Sequence, residues 1–263
     1  MSKGQAWDHG STQEAGYQID ILVHGYPGRS VCHGTLGWSS IVLLRGHGHV
    51  ALLDVGSFGV RHVLQQKLKT LGLRPEDVTD VILTHSHYDH AVNWTLFAHA
   101  RIHICAAELD WSLGAPWGKT PVPELYMKEL AQWPTLQRLT PGDQVLPGLL
   151  AHAAPGHTPG HLVFVLAGQS RDVIFTGDAA KNRAELLARS ADMTLSAQDS
   201  ASTIERIWAW WSARPGSVLV PGHDLPMVLQ DGQPLYLEQR QAAVQAWMGQ
   251  GLEQTTEFSL VLD

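Results

Sequence analysis

The chain has 263 residues, of which 25 are acidic and 18 basic, for a formal charge of −7; 44% are hydrophobic and 16% charged. This composition excludes a disordered or fibrous chain. A negative balance without a Lys/Arg cluster argues against a partner held by phosphate-backbone electrostatics, so no nucleic-acid partner is expected.

No apolar run approaches the roughly 20 residues that span a bilayer, so no membrane partner is expected. Residues 1–16 are polar and lack the apolar stretch of a secretory signal. They read as a flexible leader before one domain over 17–263, with a cytoplasmic location by default. Cys32 and Cys105 are expected to be thiols.

Along the chain, β-rich runs alternate with glycine turns from Tyr17 to Gly56, which predicts strands at 19–23, 39–44 and 49–54. The loop between the first two, with Gly25-Tyr26-Pro27-Gly28 and Cys32-His33-Gly34, is too long for a tight hairpin and suits covering a site. A helix is predicted over 60–71, stopping at Gly72. The strand at 78–83 feeds directly into Thr84-His85-Ser86-His87-Tyr88-Asp89-His90, and another strand follows at 102–106. Residues 108–127, rich in Trp, Pro and Gly, suit a lid. Further strands are predicted at 149–153, 162–167, 173–176 and 217–220, and helices at 200–214 and 235–248. Strands precede helix in both halves without a repeat or linker, so the economical reading is an αββα sandwich.

Three histidines and an aspartate within seven residues, placed directly after a strand, can converge on one point. Imidazole nitrogen and carboxylate oxygen suit zinc and comparable divalent ions, and alternate residues of an extended loop such as His85 and His87 can face one ion. Three more strand ends carry an isolated ligand beside a glycine: His157 in Gly156-His157-Thr158-Pro159-Gly160-His161, Asp178 in Thr176-Gly177-Asp178, and His223 in Gly222-His223-Asp224. A fold gathering ligands from strand-terminal loops needs that placement.

In these motifs the chain resembles the metallo-β-lactamase superfamily, over roughly Tyr17 to Met227, through His-x-His-x-Asp-His and the later His, Asp and His. The resemblance implies a four-layer αββα sandwich of the α/β (α+β) class. It implies two divalent metal ions, with Zn2+ favoured over Mn2+ or Fe2+: His85, His87 and His157 on one, Asp89, His90 and His223 on the other, and Asp178 bridging. Two such cations lower the pKa of a water between them, so the nucleophile need not be a side chain, and Asp89 is the catalytic candidate for orienting it or relaying its proton. Asp54 matches a position lying under the site, where it would fix a histidine tautomer.

Within the superfamily, Asp178 resembles the carboxylate of the glyoxalase-II-like, lactonase-like and nuclease branches, whereas true β-lactamases lack a bridging carboxylate there. The implied activity is hydrolysis of a small carbonyl substrate: a lactone, ester, thioester or cyclic amide. The alternatives are a phosphodiesterase or nuclease of the same fold, or an iron persulfide dioxygenase-like enzyme. Quorum-quenching lactonases carry a tyrosine where this chain has Lys181, so their specificity does not transfer. Lys181 and Asn182 are candidates for gripping an anionic or carbonyl group, and Trp38 and Trp117 for an aromatic wall. Trp208, Trp210, Trp211 and Trp247 fall on predicted helices and read as packing or as contacts of a homodimer.

Overall fold

Residues 41–44 read Ile-Val-Leu-Leu with no polar alternation, the pattern of a strand buried on both faces. The computed structural model describes residues 10–261 and shows what covers each face. β1 (Ser11–Glu14) and β2 (Tyr17–Val23) form a hairpin. A small clip of β3 (Arg29–Ser30) and β4 (Gly34–Thr35) precedes β5 (Ile41–Gly46) and β6 (His49–Leu53). Then follow α1 (Arg61–Thr70), β7 (Asp80–Ile82), the single turn α2 (Tyr88–Ala91), β8 (Arg101–Cys105), α3 (Ala106–Gly114), α4 (Glu124–Leu130) and β9 (Leu136–Leu139). The first sheet has the order β1-β2-β5-β6-β7-β8-β9, antiparallel up to β6 and parallel beyond it.

The second sheet takes β10 (Gln144–Leu146), β11 (Leu149–Ala153), β12 (Leu162–Leu166), β13 (Val173–Gly177), β14 (Val218–Pro221), β15 (Met227–Gln230) and β16 (Gln233–Tyr236) in chain order. Only β13 and β14 pair in parallel, because α5 (Arg183–Ala188) and α6 (Ala197–Ala213) cross over between them. Val42, Leu44, Leu53 and Ile82 meet Phe164, Phe175, Val218 and Val220 between the sheets. Ile41, Leu43, Leu52 and Ile102 pack outward on Leu64 and Leu68 of α1 and on Leu109, Met127 and Leu130 of α3 and α4. Val163, Ile174 and Leu219 pack on Leu186 of α5 and on Ile204, Ile207 and Trp211 of α6. The layers run helix, sheet, sheet, helix, as the sequence led us to expect.

Three expectations are corrected. Of the expected leader, residues 1–9 lie outside the described residues, but Ser11–Glu14 is a strand whose Thr12 and Glu14 are buried. Residues 235–248 are not a helix. Asp231 and Gly232 both adopt left-handed backbone, φ 51° and 75°, which closes a tight hairpin of β15 and β16, and Trp247 is exposed on β17 (Ala243–Trp247), paired with β18 (Thr255–Ser259). The expected lid is built into the outer core, since Leu109, Val122 and Met127 are all buried. Among the described residues, no helix is long and apolar enough to cross a membrane.

At the start of β7, Asp80 is fully buried. It is held by His103 Nε2 at 2.8 Å, His49 Nδ1 at 2.9 Å, Arg101 Nε at 2.8 Å and Thr79 Oγ1 at 2.7 Å. Burial works to raise its carboxyl, but the bonds from His103, Arg101 and His49 outweigh it and hold the group well below the usual carboxylate range. A depressed folded pKa gives stability that is present above the unfolded value of about 4 and lost as pH falls towards the folded one. Asp80→Asn should therefore lower urea-unfolding stability at pH 7 by roughly 3 kcal/mol, as expected when one partner of a buried pair is removed. The gap between the two proteins should narrow below about pH 4. Equal stability at pH 7 would refute the pairing.

Candidate metal centre

All the predicted metal-ligating residues stand where strands end. β7 leads to His85, His87, Asp89 and His90, the turn between β11 and β12 delivers His157, Asp178 directly follows β13, and β14 leads to His223. Each of these loops has to approach another closely, which explains the glycines. A Cβ on Gly222 would lie 2.4 Å from Asp178 Oδ1, and one on Gly177, whose φ is +48°, would lie 2.7 Å from Thr84 Oγ1.

The seven side chains meet in two outer sets and a third group, His85, His90 and Asp178, that joins them. His85, His87 and His157 bring ligand atoms together, with His157 Nε2 only 2.9 Å from His87 Nδ1. Asp89, His90 and His223 form the other set, with 3.3 Å between His90 Nε2 and His223 Nε2. Asp89 Oδ2 lies 3.7 Å from His90 Nε2 and 3.4 Å from His223 Nε2. Asp178 sits between the sets: Oδ2 faces His157 Nε2 at 3.3 Å, while Oδ1 faces His90 Nε2 at 3.1 Å and His223 Nε2 at 3.2 Å.

A surrounding layer of hydrogen bonds orients two of the histidines. Asp54, directly after β6, adopts left-handed backbone with φ 53°. Its Oδ2 accepts from His90 Nδ1 at 2.7 Å and from Thr84 Oγ1 at 2.9 Å, and Oδ1 accepts from Thr84 N at 2.8 Å. Because the Thr84 hydroxyl donates to Asp54, it accepts from His85 Nδ1 at 3.0 Å. His85 Nε2 thereby faces the centre as a lone pair, and His90 Nε2 offers one when that imidazole is neutral. Asp54 and Thr84 thus hydrogen-bond directly to two of the clustered histidines, His90 and His85.

Three anchors had no sequence signal that we recognised. Ser39 Oγ donates to the Asp89 carbonyl, and Ser40 Oγ to the Pro221 carbonyl at 2.7 Å. Glu108 of α3 is fully buried and accepts from Ser86 N, Ser86 Oγ and Gly160 N. His161, buried against His85, accepts the Asp178 N–H on Nε2 at 3.0 Å.

Charge is divided unevenly across the centre. Burial pushes His87 down to about 4 and His161 to about 3, and holds His85 and His157 well below the usual imidazole value, so that these four are neutral. Burial acts the same way on His90 and His223, but Asp178, with Asp54 and Asp89 at His90 and Asp89 at His223, outweighs it and raises both. At Asp178 burial acts to raise the carboxyl, and His223, His90 and His157 overcome it. Two buried carboxylates thus demand positive charge on one side, while the other offers neutral nitrogens. His85 Nε2 is buried there without a hydrogen-bond partner. This donor set fits divalent cations.

The residues expected to touch substrate are engaged within the chain. Trp38 stacks on Tyr26 at 4.8 Å and donates from Nε1 to the His24 carbonyl. Trp117 is exposed, with Lys128 Nζ 4.1 Å from its ring centre. Lys181 Nζ pairs with Glu185 Oε1 at 2.8 Å and donates to the Asp192 carbonyl, and Asn182 caps α5 by accepting from Glu185 N.

The family model of the metallo-beta-lactamase superfamily matches residues 34–223, and the chain belongs to that superfamily. A probable metallo-hydrolase of Mycobacterium tuberculosis is 29% identical over 167 residues, 55% of this chain and 54% of that protein. An N-acyl homoserine lactonase of Bacillus thuringiensis is 33% identical over 115 residues, 43% of each chain. The chain thus spans about half the length, or less, of these curated relatives. Among solved structures, a dizinc quorum-quenching lactonase in complex with a product superposes with a TM-score of 0.68 at 16% identity, over 89% of this chain and 100% of that one. At that identity the likeness shows the fold.

Asp54→Asn separates the role of the carboxylate from that of the backbone, because asparagine also tolerates the left-handed conformation. Calorimetric titration of the metal-free variant should show divalent-cation affinity about 10- to 100-fold weaker. Unchanged affinity with an unchanged circular dichroism spectrum would remove Asp54 from the centre.

Proposed function

We propose that this member of the metallo-β-lactamase superfamily is a dinuclear metal-dependent hydrolase acting on a small carbonyl substrate, a lactone, ester, thioester or cyclic amide. The observation that carries the reading is the division of the Asp178 carboxylate, one oxygen towards each histidine set. In this assignment His85, His87 and His157 hold one cation, Asp89, His90 and His223 the second, and Asp178 both. Zinc suits the nitrogen-rich first set and a mixed second set. The similarity to an N-acyl homoserine lactonase supports putting a lactone first among the substrates. The charge of −7 counts against a polyanionic one.

Bound in this centre, the cations supply Lewis-acid polarisation of the scissile carbonyl and a water of lowered pKa. The chain's own residues supply position and proton handling. Asp54 and Thr84 hold His85 and His90 in the tautomers that ligate. Asp89, with 18% of its side chain exposed, is the most open of the seven, and Ser39 fixes its backbone. Its carboxylate is the group we assign to take a proton at the mouth and release it to the leaving group. Tyr26 and Trp38, beside Gly25, which abuts His223 and Asp224, form the aromatic wall that would orient an apolar substituent.

Elemental analysis of protein purified with and without oxygen, paired with a screen of lactones, thioesters, cyclic amides and bis-nitrophenyl phosphate, tests this reading. Two zinc or manganese equivalents with turnover of a carbonyl ester are expected. One iron with oxygen uptake, or phosphodiester turnover alone, would overturn it. Asp178→Ala should bind one cation fewer and lose about 100-fold or more in kcat. Full activity with two cations bound would sink the bridging role.

A further inference from the structure

Ser86 separates two ligands, His85 and His87, and lies in no strand, so its N–H needs a partner that the sheet does not provide. Glu108 provides it. Oε1 accepts from Ser86 N at 3.0 Å and from Ser86 Oγ at 2.7 Å, and Oε2 of the same carboxylate accepts from Gly160 N at 3.0 Å. Gly160 belongs to the loop that carries His157. It lies so close on the first turn of α3 that a Cβ there would come 2.1 Å from Glu108 N. One turn further along α3, the ring of Trp111 stands edge-on to His87 with centroids 6.2 Å apart. α3 is itself pinned by Leu109 in the outer core.

A carboxylate with no exposed surface costs several kcal/mol to bury unless charge-assisted hydrogen bonds compensate it. Here those bonds run to Ser86, between His85 and His87 in the loop that goes on to carry Asp89 and His90, and to the loop of His157. The second set is braced by other residues: Ser39 on the Asp89 carbonyl, and Ser40 on the Pro221 carbonyl and, through its N–H, on the Gly222 carbonyl at 2.7 Å.

We propose that Glu108 is the positioning residue for one cation only, the one on His85, His87 and His157, clasping their two loops at a fixed separation. This rests on the metal centre proposed above. Glu108→Gln keeps the shape of the side chain but replaces one acceptor oxygen with an NH2 group that faces N–H donors, so it releases one of the two loops.

The test is stepwise calorimetric titration of the metal-free full chain with Zn2+, repeated with Co2+ to record the absorption bands that report coordination geometry. His87→Ala marks which binding step belongs to the first set. Glu108→Gln should weaken that step about 10- to 100-fold and change its cobalt spectrum, leaving the other step within about threefold. Ser39→Ala should weaken the other step instead. Wild-type-like constants in Glu108→Gln, or equal weakening of both steps, overturn the role of Glu108. A wild-type chain that fails to take two cations overturns the dinuclear reading itself, and this one with it. If Glu108→Gln does not fold, Ser86→Ala removes one of the clasping bonds. It should weaken the same step by up to about tenfold, and no change there overturns the proposal.

Discussion

Asp178 is a buried carboxylate with imidazole nitrogens on both of its oxygens, and the rest of the centre is arranged around keeping it there. An ion taken out of water costs several kcal/mol even after the protein relaxes, so it must be compensated at once and on every side. His161 supplies a contact through the Asp178 N–H, and Gly222 stands aside so that the carboxylate can approach the end of β14. What remains is a demand for positive charge, met by the raised His90 and His223 on one oxygen. A divalent cation meets that demand with more charge than a proton and with directed bonds.

The sandwich places this arrangement at its strand ends because most of each central strand is apolar on both faces. β5, β6 and β7 bury apolar residues on both sides, and apart from the Asp80 cluster at the start of β7 the buried polar groups gather where these strands stop. The transition occurs within one or two residues: Leu53 is core, Asp54 is an anchor, Leu83 is core and Thr84 an anchor. Asp54 shows the cost in its left-handed backbone, a conformation uncommon outside glycine and retained because three hydrogen bonds depend on it.

The clustering of these histidines and aspartates was legible in the sequence because they are dense or stand beside glycines, and such spacing survives without knowledge of the fold. Strands such as Leu149–Ala153 were equally clear, being short apolar runs bounded by turns. Glu108 was not legible. Its partners, Ser86 and Gly160, are 22 and 52 residues away, and nothing local distinguishes it from a surface glutamate at the start of a helix. Ser39 and Ser40 are hidden likewise, since an N-terminal extension of a strand gives no sign that its hydroxyls reach carbonyls 50 and 181 residues off. The helix expected at 235–248 is a different kind of miss. Asp231-Gly232 is a local hairpin signal, and its two left-handed residues turn the chain back so that Leu235 pairs with Val228. The apolar spacing after it belongs to strands.

Stiffness is distributed in a way that suits a hydrolytic centre serving one chemistry. The floor is tied by buried bonds: Asp54 under β7, Glu108 between two ligand loops, and Asp224, next to His223, receiving Arg183 N, Tyr236 and Arg240. The rim is tied by weaker means. The loop of β3 and β4 reaches the 189–195 segment through Arg29 and Asp192, both largely exposed, and such a pair contributes about 0 to 1 kcal/mol. Lys181 joins the same segment through the Asp192 carbonyl, so this soft boundary lies next to the end of β13. A change in the rim therefore costs little and leaves the ligand atoms where they are. A change in the floor moves them.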